Sequence, residues 1–130
     1  MRVNKTSKAD FELFKRVAKT WLKILGLTHY RVSFDHLEES EFEEEKSRAF
    51  ARIKAPLATC TLTKDWVEDE VTRERVIICA IHEVLHILLD DLLQKGLDRG
   101  FNKEDFQKAE EQIIIRLMNG FTELGITKDA

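Results

Sequence analysis

The chain has 130 residues, enough for one domain with a sizeable core and too few for two ordinary ones. Hydrophobic residues make up 43% and charged residues 35%, which excludes an intrinsically disordered chain. A net charge of −3 and a pI of 5.8 give no electrostatic support for binding nucleic acid or an anionic membrane surface. No uncharged stretch reaches membrane-spanning length. The segment from Met1 to Ser7 carries no continuous apolar run of the kind a secretory signal needs. Two cysteines, Cys60 and Cys79, are too few for a disulfide scaffold, so both are expected to be reduced thiols in a cytoplasmic protein.

The expected fold is α+β, organised as one domain over residues 1–130. Ser7 to Leu25 predicts a first helix, with Ser7 as N-cap and Asp10 in the first turn. Its stripe is Phe11, Phe14, Val17, Ala18, Trp21, Leu22 and Leu25, and Gly26 closes it. Tyr30 to Asp35 alternates as a short strand. An acidic stretch from Glu38 to Glu45 reads as a solvated loop, because like charges in a row repel and stay wet. Ser47 to Ile53 and the β-branched run Ala58 to Thr63 predict two more strands, with Pro56 turning between them. Three strands in succession with short links predict a small, mostly antiparallel meander.

Asp69 or Thr72 can cap the next helix. From Val76 to Leu93 its apolar residues occupy nearly every side, which predicts a helix buried between other elements. Gly96 is expected to end it. Asn102 to Leu124 predicts the last helix, with a stripe of Phe106, Ala109, Ile113, Leu117, Phe121 and Leu124, and Gly125 closing it.

The buried helix carries His82-Glu83-Val84-Leu85-His86. Residues four apart share a helix face, so His82 and His86 can aim two imidazoles at one point. Neutral imidazole nitrogen is a good zinc ligand. Glu83 lies about 100° further round, where it can lean towards a metal-bound water without being a ligand. Two histidines and a glutamate on a buried helix are costly without partners, and a metal would satisfy all three.

A catalytic zinc commonly takes three protein ligands. Asp90 shares the face of His86 but is too short to reach the same ion along two turns, so a supporting role behind the ligands is expected. Glu110 sits on the face of Phe106, Ile114 and Leu117, where a carboxylate needs a partner; it is the favoured third ligand, with Glu111 as the alternative. Cys79 could close the site as a thiolate but is expected to be a small core residue.

His82-Glu83-x-x-His86 followed by a glutamate on the next helix resembles the gluzincin branch of the zincin metallopeptidases, and the chain resembles its smallest members from Ala49 to Leu124. These include small proteins of phages and mobile elements and anti-repressor-type proteases that cleave bacterial regulators. The resemblance implies a zincin-like fold, one Zn2+ per chain held by His82, His86 and Glu110 (or Glu111), and Glu83 as general base. It also implies that the strand nearest the site, here Ala58 to Thr63, pairs its edge with an extended peptide. The chain has Val84-Leu85 and Gln112-Ile113 where the anti-repressor branch carries a glycine and an Ala-Asn pair. Tyr30, His29 and His36 are expected to be structural or exposed rather than stabilisers of an oxyanion.

The expected function is therefore zinc-dependent hydrolysis of peptide bonds in a protein or peptide substrate, with no nucleic-acid or membrane partner. The alternative is a non-catalytic, metal-stabilised binding or regulatory protein of phage or mobile-element origin, which a fourth protein ligand such as Cys79 would favour.

Overall fold

The computed structural model describes residues 3–38, 48–67 and 69–126. Glu38 is exposed; the rest of the acidic stretch, together with Ser47, lies outside the described residues. The elements run α1 (Lys8–Ile24), β1 (Arg31–Leu37), β2 (Ala49–Lys54), β3 (Leu57–Thr63), α2 (Arg73–Asp98) and α3 (Lys103–Glu123). The α+β class expected from the pattern is the class observed. No helix among the described residues is long and apolar enough to cross a membrane.

Local chemistry sets the helix starts. Ser7 Oγ accepts from the Asp10 amide and Asp10 Oδ2 accepts from the Ser7 amide, a reciprocal cap for α1. Of the two candidates for α2, the cap is Thr72, whose hydroxyl accepts from the Arg75 amide at 3.1 Å. Asn102 caps α3 through the Asp105 amide. Gly96 does not end α2 as expected. It lies inside the helix, which continues to Asp98, and Gly100, at φ +83°, makes the turn that follows.

The sheet departs from the expected meander. Its order is β1-β3-β2: β2 and β3 form an antiparallel hairpin across Ala55-Pro56, and β1 lies parallel to β3 on the other side. The sheet is thus mixed, not mostly antiparallel. The reason is burial. Ala58, Cys60, Thr61, Leu62 and Thr63 of β3 are all buried, and these uncharged side chains suit a strand covered on both faces and paired on both edges. Arg31 and Asp35 on β1, and Arg52 and Lys54 on β2, are exposed charges that suit edge strands.

Helix α2 is the core. It packs on α1, α3 and β2, and Val76, Ile77, Ala80, Ile81, Val84, Leu85 and Ile87 are buried on it. Phe14, Val17 and Ala18 of α1, Cys60 and Leu62 of β3, and Ile114 and Met118 of α3 join the same cluster. The stripe of α3 is rotated from the expected one. Glu110, Ile114 and Met118 face inward, whereas Ile113 is 40% and Leu124 81% exposed.

Candidate metal centre

Helix geometry on α2 and the rotation of α3 bring four side chains together. His82 and His86, one turn apart, place their Nε2 atoms 3.2 Å from each other. Glu111 comes in from α3, with Oε1 2.8 Å from His86 Nε2 and Oε2 3.6 Å from His82 Nε2. Glu110, its neighbour, faces the other side of the same ring, with Oε1 3.0 Å from His86 Nδ1. The expected face of Glu110 is therefore observed, since it is buried beside Ile114, but its carboxylate meets Nδ1 and not the point where both Nε2 atoms converge. Glu111, the alternative, meets that point.

The donor set fits a divalent cation. One ligand atom from each of His82, His86 and Glu111 lies within 4.8 Å of the others. Tetrahedral ligands at zinc distances stand about 3.3 Å apart; the two Nε2 atoms are 3.2 Å apart, and the two Glu111 oxygens approach one ring each, at 2.8 and 3.6 Å. Two nitrogens and a carboxylate oxygen are also acceptable to other transition metals, so the set selects a class of ion.

Electrostatics separate the two rings. Burial and the neighbouring His86 lower the pKa of His82, with Glu111 opposing. Burial would lower His86 too, but its hydrogen bond to Glu110 and the charges of Glu83, Glu110 and Glu111 prevail, and its pKa is raised. Glu83 is 5% exposed, and burial pushes its carboxyl up to about 7. The charges of Glu110 and Glu111 push the same way and His86 opposes.

These residues line a cleft of about 510 Å3 between β2, α2 and α3. Ala49, Ala51 and Ile53 of β2 form one wall, and their small or aliphatic side chains leave the space open. A second recess of about 230 Å3 lies beside His82 and Glu83, walled by Arg48, Ile78 and Cys79. Cys79 is buried, burial raises its thiol to about 12, and it is not in the donor cluster. The strand beside the site is β2 and not Ala58 to Thr63. β3 is paired along both edges, while the outer edge of β2 has no partner strand among the described residues.

The remaining expected residues divide. Asp90 is buried and lines the cleft, but its hydrogen bond comes from Gln94 at 3.4 Å, and the carboxylate in contact with His86 Nδ1 is that of Glu110. His36 stacks on Phe11 and pairs with Thr6, and His29 is exposed. Sequence reasoning missed the β2 wall; its signal was the alternation of Ala49 and Ala51 on one face. Compared with protein families, curated proteins and solved structures, the chain finds no match in any of the three.

Proposed function

We propose that this protein is a metal-dependent hydrolase of peptide bonds. His82, His86 and Glu111 hold the ion, zinc being the first candidate for a site of two imidazoles and a carboxylate. Bound there, zinc supplies Lewis-acid polarisation of a carbonyl and a lowered pKa for a water in its open position. Glu110 fixes the His86 ring by accepting from Nδ1–H, which leaves Nε2 as the ligand atom. Glu83, buried beside the ligands with its carboxyl lifted to about 7, takes a proton from the attacking water and returns it to the leaving amine. The outer edge of β2, which has no partner strand among the described residues, borders the cleft where an extended peptide would lie.

One observation carries this proposal: two Nε2 atoms and the Glu111 carboxylate converge in an open cleft beside a buried carboxyl that is not itself a ligand. A purely structural metal site would want a fourth protein donor, and Cys79, the candidate for it, stands outside the cluster. In Glu83→Gln, hydrolysis of a peptide mixture should fall by about 10²- to 10⁴-fold while metal content stays at the wild-type level. Full activity in that variant would sink the mechanism.

A further inference from the structure

The cleft has a charge pattern that the proposed hydrolysis does not use up. Among the described residues its lining includes four carboxylates, Glu83, Asp90, Glu110 and Glu111, and no lysine or arginine. Three of them are engaged at the proposed centre, Glu110 and Glu111 by the histidines and Glu83 as the base. Asp90 is not. It is 6% exposed, it lies one helical turn beyond His86, and its hydrogen bond is a long one from Gln94 to Oδ1. Apolar Leu93 and Ile53 and the amide of Gln107 line the same cleft. A buried carboxylate without a cation is costly. Burial raises its pKa, Gln94 opposes, and Glu110 and Asp91 add to the rise, as expected of a carboxylate that lacks a counter-charge.

Resting on the hydrolase assignment above, we propose that Asp90 is a specificity residue that pairs with a cationic group of the substrate, an ammonium or guanidinium, inside the cleft. Four residues of helix separate Asp90 from His86 by about 6 Å along the axis. An extended peptide advances about 3.3 Å per residue, so the cation belongs within about two residues of the scissile bond. Leu93 and Ile53 suit the aliphatic stem of a lysine or arginine, whose charged end then reaches Asp90. An acidic side chain at the same position would meet the like charge of Asp90.

Binding can be measured without turnover, in zinc-loaded Glu83→Gln. Four labelled peptides serve as probes: acetylated with one central lysine, norleucine or glutamate, and lysine-free with a free N-terminal amine. Anisotropy should show the lysine peptide binding at least tenfold more tightly than the norleucine peptide, and the glutamate peptide most weakly. Adding Asp90→Asn should reduce the lysine advantage to about twofold or less. Adding Asp91→Asn, the same charge change on an exposed neighbour paired with Lys95, should leave it intact. Preference for the free-amine peptide over acetylated lysine would assign Asp90 to the chain terminus instead of a side chain. Binding or hydrolysis with no basic preference, or a preference unchanged in Asp90→Asn, overturns the role of Asp90 alone. No binding of any peptide overturns it together with the peptide-hydrolase assignment.

Discussion

At His86 two carboxylates meet one imidazole from opposite sides, Glu110 at Nδ1 and Glu111 at Nε2. The motif residues were legible in the sequence because a spacing of four fixes a helix face whatever the tertiary fold. The choice between Glu110 and Glu111 was not legible, since adjacent residues differ by about 100° and only the rotation of α3 against α2 resolves them. Burial of Ile114 and Met118 sets that rotation, turning Glu110 inward to Nδ1 and Glu111 to the open side. A second histidine shows a different use of the ring. Thr6 Oγ1 donates to the Thr63 carbonyl and accepts from His36 Nε2, each at 2.7 Å, and the ring stacks on Phe11. Burial, reinforced by Lys64, holds the His36 pKa below its ordinary value of 6.5. The folded state then binds fewer protons than the unfolded state below 6.5. The contribution of His36 to stability is therefore present above that value and is lost as pH falls from there to the lowered folded value. Urea unfolding from about pH 7 to about pH 5 should show a steeper loss in the wild type than in His36→Asn. Parallel pH profiles would remove His36 from the account.

Among the elements, α2 was the most legible in its first half, where Val76, Ile77, Ala80, Ile81, Val84, Leu85 and Ile87 are buried as expected, whereas Leu88 and Leu92 of the same apolar run are exposed. Its end was not legible. Glycine is a common C-terminal punctuation, but Gly96 serves packing: a Cβ built there would lie 2.4 to 2.8 Å from three ring atoms of Phe106 on α3. Gly96 thus lets Phe106 of α3, four residues before Glu110, approach α2 closely. Gly96→Ala gains about 1 kcal/mol of helix propensity and meets an overpacking cost of about 1–3 kcal/mol. A net loss of about 1 kcal/mol is expected in denaturant unfolding, and a stabilised variant would show that the Phe106 ring yields freely. Strand order was the other gap. Alternation identified all three strands, with β1 and β3 running within two residues of their expected ends. Pairing, however, depends on which strand must be hidden, and the uncharged run in β3 outweighed simple succession along the chain.

Over the whole molecule, α2 serves as both core and scaffold. It packs on α1, α3 and β2, and its His82, Glu83, His86 and Asp90 line the cleft beside β2. The class of fold could be read from helical and strand periodicities because each is local. The mixed sheet, the β2 wall and the contact of Glu110 with His86 Nδ1 could not, because each is a distance between separate elements. His82 and His86 come from α2 and Glu111 from α3, so the proposed metal binding would report directly on the assembly of the fold around the site. The decisive measurement is metal content by elemental mass spectrometry on untagged protein, after reconstitution with zinc at neutral pH, beside His82→Ala, Glu111→Ala and Glu110→Ala. One zinc per chain is expected in the wild type and none in His82→Ala or Glu111→Ala. Glu110→Ala should still bind zinc, with affinity weakened by about 10- to 100-fold, as fits a residue that orients a ligand. A wild-type protein that takes up no zinc, or a Glu111→Ala variant that keeps it while Glu110→Ala loses it, would contradict the centre described.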